Sequence, residues 1–279
     1  MKLIPPIALD LSACNGLGDL ICSTPTIKKL YDYYEKKITV LSQMPEIFKN
    51  NPYVEESFKN SSVDINYFKQ NYLIHDTFYN VGKKNQYGIE YKHNMIDIRQ
   101  FHAIQLGFML AKDEMECFYK PTYDKKYHFH KNSVVIHPVQ NWATRTWSAE
   151  NWMKLTRMNL MNKTNISDCW HIINDAKAVV TMDSGILHLA GTTDSHIVHL
   201  GSHLKPEFRA PYRLGSQDYK YDYVRGGCGL ECGSNAKYGI KEWGNIQGVA
   251  PLIKCLENKE TFECQPSVEQ VFENLMKII

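Results

Sequence analysis

The sequence predicts an α/β fold in two halves, each a set of parallel strands joined by crossover helices. Three observations predict it. Apolar strand-like runs alternate with helix-like segments along most of the chain. A strand, a glycine-bearing turn and a helix start occur in succession twice, around Cys14-Asn15-Gly16-Leu17-Gly18 and around Asp183-Ser184-Gly185. Between them, over residues 119–131, the chain turns polar and basic around Pro121 before the alternation restarts.

The elements follow in order. Residues 7–13 are predicted as a strand, 14–18 as a glycine loop, and 19–34 as a helix with Pro25 near its first turn. Strands are expected at 38–42 and 72–78, and a helix at 95–110, where Ile98, Phe101, Ile104 and Phe108 recur at helical spacing. In the second half the expected elements are a strand at 133–137, helices at 149–161 and 167–176, a strand at 178–182, a helix at 185–191 and a strand at 196–200. The polar stretch divides the chain into residues 1–130 and 131–279, two halves with a cleft between them.

Composition narrows the function classes. A chain of 279 residues with 43% hydrophobic content can bury one large or two modest cores. Its formal net charge of +2 supplies no global basic field that would by itself announce nucleic acid. No apolar run is long enough to span a bilayer, and Pro5-Pro6 interrupts the start before a signal-peptide core forms, so a soluble cytoplasmic protein is expected. In that compartment eight cysteines point to free thiols or metal rather than disulfides.

Residues 180–191 carry the clearest chemistry. A buried strand runs into Asp183-Ser184-Gly185, and Ile186-Leu187-His188-Leu189-Ala190 opens a helix. The unpaired N–H groups at such a start, with the helix dipole behind them, favour an anion. Asp183 and Ser184 are good capping types, and Gly185 lets a ligand approach the backbone. An ordinary strand-to-helix connection fits the same residues.

Three motifs together resemble glycosyltransferase family 9, the heptosyltransferases. Asn15-Gly16-Leu17-Gly18-Asp19-Leu20 with Thr24-Pro25-Thr26 is similar to the family's opening motif. His137-Pro138 through Arg145-Thr146-Trp147-Ser148 to Trp152 resembles its basic, Trp-bearing loop and helix, and Asp183 to Ala190 its donor motif, with Ser184 where Thr is common. The resemblance implies a GT-B fold: two Rossmann-like domains facing across a cleft, the acceptor on the N-terminal one and a nucleotide-sugar donor on the C-terminal one. It further implies inversion at the anomeric carbon and no catalytic metal.

On this reading Asp19 is the general base that takes the acceptor proton, with Asn15, Gly16 and Gly18 forming the acceptor-side loop. Capping of its own helix is the equal competitor for Asp19. Arg145 stands where the family usually has Lys near the diphosphate, although a solvated loop charge has the same sequence signature. Asp183 and the N–H groups of Ser184, Gly185 and Ile186 hold the donor, and His188 reaches phosphate or ribose unless it is a packing residue. One strand–helix unit of the donor domain is missing between Trp152 and Asp183, which shortens that domain and puts ADP-heptose as donor in doubt.

The C-terminal third adds Cys228-Gly229-Leu230-Glu231-Cys232, Cys255 and Cys264. Two close thiols in a glycine-rich turn and two distant ones suit a closed tetrahedral site for zinc or iron, and four separately packed thiols are the alternative. The arrangement resembles the cysteine finger of bacterial autotransporter heptosyltransferases, which implies a structural metal within residues 226–266, approximately. Around it Arg209, Arg213, Lys220, Arg225 and Lys237 alternate with Tyr212, Tyr219, Tyr221, Tyr223 and Tyr238, a mixture suited to a nucleotide or nucleic acid, or to a wet loop.

The expected activity is transfer of a sugar to an acceptor hydroxyl on a carbohydrate, protein or hydroxymethylated DNA. The short, Lys/Asn/Ile/Tyr-rich chain resembles bacteriophage members of the family, which implies glycosylation of 5-hydroxymethylcytosine in DNA, for instance with arabinose. A non-catalytic nucleotide-sugar or nucleic-acid binding module with a metal finger is the competitor from another class. Asp19 argues against it, because a binder has no use for a base.

Overall fold

A computed structural model describes residues 4–77, 96–127, 133–138, 147–155, 165–213, 220–232, 255 and 262–279. The chain divides into two compact units, residues 1–93 with 97–122, and residues 94–96 with 123–279.

The N-terminal unit is built on a parallel sheet of β1 (Ile7–Asp10), β2 (Ile38–Ser42), β3 (Val54–Lys59) and β4 (Leu73–Asp76) in the order β3-β2-β1-β4. The chain walks outward from β1 to β3, then returns to the other side of β1. The reversal makes the β1/β4 edge a topological switch point, the place where open α/β sheets bind ligands. In register, Asp10 stands beside Asp76 at the carboxyl ends of these two strands. All five residues of β2 are buried, as expected of an interior parallel strand covered on both faces.

The expected helix 19–34 is two helices, α1 (Leu17–Cys22) and α2 (Thr24–Tyr34), separated at Ser23. Pro25 causes the break. It has no N–H to offer the Ile21 carbonyl, and the Thr24 hydroxyl donates to that carbonyl instead, at 2.7 Å. Ser23 likewise donates to Leu20 O at 2.7 Å. Sequence periodicity passed over β3 and α3 (Ile65–Asn71), whose residues are largely exposed and carry little apolar alternation. Helix α4 (Ile98–Gln105) is shorter than expected and begins at Asp97, whose carboxylate accepts from Arg99 N and grips the Arg99 guanidinium through Nε at 2.7 Å.

The C-terminal unit has β5 (Val134–His137), β6 (Ala178–Thr181), β7 (His196–Leu200) and β8 (Tyr221–Val224) in simple sequential order, all parallel. Between β5 and β6 lie α5 (Ala149–Leu155) and α6 (Ile166–Asp175) with no strand among the described residues, and β5 pairs directly with β6. Helix α7 (Gly185–Ala190) follows β6. A final helix, α8 (Val268–Leu275), has a Ser267–Gln270 capping box and sends Val271 and Leu275 into the core. There they meet Trp147 and Trp152, whose rings pack edge to face with centroids 5.0 Å apart, while Trp147 Nε1 donates to Pro266 O at 2.8 Å. No described helix is long and apolar enough to cross a membrane.

Candidate active site

The glycine loop after β1 delivers Asp19 to the carboxyl edge of the N-terminal sheet. Gly16, not Asp19, occupies the N-cap of α1, so Asp19 is an acidic side chain in the first helical turn. A Cβ on Gly16 would collide with the Asp19 carboxylate, and glycine is therefore what lets that carboxylate fold back over the helix start. Asn15 is exposed, Gly16 and Asp19 are half-buried, and Gly18 is buried. The carbonyl of Asp19 accepts from Ser23 N at 3.0 Å, and the His102 ring lies against the Asp19 backbone. His102 Nδ1 also lies 3.2 Å from Thr77 Oγ1, at the end of β4. Burial lowers the His102 pKa to about 4, so the ring is neutral at physiological pH.

Two acids that sequence reasoning passed over sit on the same edge. Asp10 accepts from Ser12 N at 2.8 Å, and beside it Asp76 is pushed up to about 6, first by burial and then by the charge of Asp10. A signal for them was present: Ile7-Ala8-Leu9-Asp10 and Leu73-Ile74-His75-Asp76 are both short apolar strands ending in aspartate.

In the C-terminal unit the turn after β6 places Ser184 and Gly185 half-exposed at the start of α7, with Ile186 buried behind them. Ser184 is the N-cap, but its side chain makes no capping bond. Its hydroxyl instead lies 3.1 Å from Thr181 Oγ1, which donates to Met182 O at 3.1 Å and lies 3.4 Å from His137 Nδ1. Burial lowers the His137 pKa to about 4. Asp183 and His188 face inward: they are 3% and 5% exposed, with His188 Nε2 3.9 Å from Asp183 Oδ1. Arg209 is equally buried, its Nε 3.4 Å from Asp183 Oδ2.

The basic and aromatic residues around this turn are engaged within the unit rather than spread over a face. Arg213 caps the end of α7 by donating to Ala190 O at 2.6 Å, and also reaches Gly191 O and Ser195 O. Lys220 donates to Asp194 O, and Arg225 bridges Glu231 Oε1 and Cys228 O. Tyr221 OH lies 2.7 Å from His199 Nδ1. Of the two readings the mixture allowed, a ligand face or a wet loop, these contacts favour the loop, because side chains that satisfy the unit's own carbonyls and carboxylates are already engaged. Lys237, Tyr219, Tyr238 and the diphosphate candidate Arg145 lie outside the described residues.

The four C-terminal cysteines are brought into one neighbourhood. The Cys264 thiol is raised to about 12, first by burial and then by the charges of Cys232, Cys228 and Cys255. Cys228 N donates to Glu263 O at 3.2 Å and Gly226 N to Cys264 O at 3.0 Å, which straps the 226–228 turn to the 263–264 segment. Among the described residues, no group of three or more His, Cys, Asp or Glu has metal-holding geometry.

Residues 153–217, the segment carrying α6, β6, the turn, α7 and β7, match the family model described as glycosyltransferase family 9 (heptosyltransferase). No curated protein sequence matches the chain. Among solved structures, the iron-containing dodecameric glycosyltransferase TibC of enterotoxigenic E. coli H10407 is similar at a TM-score of 0.71 and 13% identity, covering 99% of this chain and 78% of TibC. TibC has also been solved in complex with ADP-D-β-D-heptose. A family 9 glycosyltransferase from Veillonella parvula DSM 2008 matches at a TM-score of 0.64 and 13% identity over 100% of this chain and 98% of its own. The E. coli ADP-heptose lipopolysaccharide heptosyltransferase II matches at 0.59 and 14%, over 81% and 92%. The fold is the α/β fold of the GT-B heptosyltransferases.

Proposed function

From a chain that carries a glycosyltransferase family 9 domain, we propose an inverting transfer of a sugar from a nucleotide-sugar donor to an acceptor hydroxyl. The observation that carries this reading is the Asp183–His188 turn: it falls inside the family match, and it presents Ser184 and Gly185 at a helix start on the carboxyl edge of a parallel sheet. The N–H groups of Ser184, Gly185 and Ile186 take the donor diphosphate, and Arg145 offsets the charge that grows as the bond to the anomeric carbon breaks. On the N-terminal unit the Asn15–Gly18 loop receives the acceptor. Asp19 removes the hydroxyl proton as the acceptor oxygen attacks from the face opposite the diphosphate.

Two further parts of the reading concern metal and location. Cys228, Cys232, Cys255 and Cys264 hold one structural zinc or iron. The chemistry of the donor set suits such an ion: the Cys264 thiol, raised by burial and by the charges of the other three, is stabilised as a thiolate by a shared cation. The metal orders the finger and takes no part in transfer. The reaction is placed in the cytoplasm, of a bacterium or a phage-infected host, where nucleotide sugars are available.

The donor assignment is tested by binding. ADP, UDP, GDP and CDP are titrated against the protein, and the nucleotide that binds is retested on Gly185→Val and Arg145→Ala. Each variant should weaken binding about tenfold or more, because a branched Cβ blocks the approach and a lost cation removes charge pairing. Unchanged affinity in both would move the donor away from this turn.

A further inference from the structure

We propose that Arg209 is a positioning residue of the donor turn: by neutralising the carboxylate of Asp183 buried beneath the turn, it lets an anionic diphosphate bind there. The inference rests on the donor reading above and assigns a role to a residue that reading does not use. The pair meets by charge and distance rather than as an aligned hydrogen bond. Arg209 Nε is 3.4 Å from Asp183 Oδ2, and the side chains are 2% and 5% exposed. Asp183 immediately precedes Ser184, the N-cap of α7.

Magnitudes decide why the pair matters. A helix start offers at most roughly half an elementary positive charge, and α7 has only six residues, whereas one bare aspartate beside it carries a full negative one. Low-dielectric surroundings weaken neither charge as water would. Without a countercharge the field at the turn would therefore repel phosphate. His188, 3.9 Å from the other oxygen, supplies charge only when protonated, whereas a guanidinium is cationic at every working pH. Arg209 comes from a separate segment, directly after the short 3₁₀ turn Pro206–Phe208, so it also fixes the turn to the loop beyond β7. With 2% of its side chain exposed it acts through Asp183 rather than by touching ligand.

The test is a charge-removal cycle read as nucleoside diphosphate affinity, which excludes any contact to the sugar. Wild type, Arg209→Met, Arg209→Lys and the double variant Asp183→Asn/Arg209→Met are titrated calorimetrically with the diphosphate that binds best, at one ionic strength. Arg209→Met should weaken binding about ten- to a hundredfold, the range for losing a supporting partner behind a ligand-contacting group. The double variant, neutral again, should recover at least tenfold of that loss, and Arg209→Lys should bind close to wild type. A double variant that binds no better than Arg209→Met would show that Arg209 merely packs, and so would wild-type affinity in Arg209→Met. If Arg209→Met does not fold, Arg209→Lys and Arg209→Gln decide instead: Lys, which keeps the charge, should bind at least tenfold more tightly than Gln, which removes it, and equal affinity in the two overturns the inference. Gly185→Val keeps the two failures apart: if it leaves affinity unchanged the donor turn itself is wrong, and if it abolishes binding while the Arg209 cycle is flat only the role of Arg209 is lost.

Discussion

Both units bring aspartates to the carboxyl edge of a parallel sheet, but they treat the charge in opposite ways. In the N-terminal unit Asp10, Asp19 and Asp76 are half-buried, and Asp10 pushes the Asp76 pKa up. In the C-terminal unit Asp183 is buried and opposed by Arg209. The difference is what the two proposed chemistries require. A proton acceptor works through its negative charge, so that charge must face the ligand. A diphosphate site works only when nearby acids are cancelled. Sheet topology differs to match: the order β3-β2-β1-β4 opens a switch point beside the first set of acids, whereas β5-β6-β7-β8 runs without reversal, and its candidate site is a helix start.

The largest expected effect breaks the N-terminal side of the comparison. Asp19→Asn keeps the size of the side chain and removes its basicity. Turnover should fall by roughly two to four orders of magnitude, while nucleotide affinity stays within a few-fold because the donor is assigned to the other unit. Near-normal turnover by folded Asp19→Asn would remove Asp19 as the base and leave Asp10 or Asp76 as the acid to test next.

A smaller effect is expected within the C-terminal unit, and it is one of stability rather than chemistry. Changing Cys228, Cys232, Cys255 or Cys264 to Ser should destabilise by about 3 kcal/mol, or roughly 6–12 °C in Tm for a unit of this size. The surviving folded protein should keep its turnover. Elemental analysis gives the direct check: close to one zinc or iron per chain is expected. Negligible metal, with all four thiols reacting freely, would mean that they are packed cysteines.

What the sequence made legible follows the same division. Strands β2 and β7 were placed to the residue, because a short run centred on Ile, Val and Leu between turn-forming segments has few other homes. The turn proposed to hold the donor was visible for a similar reason, as a buried strand stopping at Asp183-Ser184-Gly185. The split between α1 and α2 depended on Pro25, whose position was noted and whose consequence needed the Thr24 hydroxyl to take over the Ile21 carbonyl. Long-range pairings were not legible. Nothing local in the sequence distinguishes Arg209, which meets Asp183, from Arg213, which caps α7, since each role is set by where a loop returns. The pairing of Asp10 with Asp76 depended on strand order, which alternation alone does not give.

The smallest effect sharpens the contrast at Asp76. Asp76 has an ordinary pKa of 3.8 and is raised to about 6 in the fold, by burial first and by Asp10 second. Below pH 3.8 the carboxyl is protonated whether the chain is folded or not, and its burial carries no charge penalty. Between that value and about 6 the unfolded chain ionises while the folded one keeps its proton, so stability falls as pH rises, and above about 6 the loss is complete. Asp76→Asn removes this term. Its urea midpoint should therefore exceed wild type at pH 7.5, by less at pH 5, and the gap should close at pH 3.5, with the m-value unchanged. Asp10→Asn should shift the same window downward by removing the neighbouring charge while leaving the larger burial contribution in place. A gap between Asp76→Asn and wild type that stays constant with pH would mean that Asp76 is compensated after all, and that the contrast with Asp183 does not hold at the switch point.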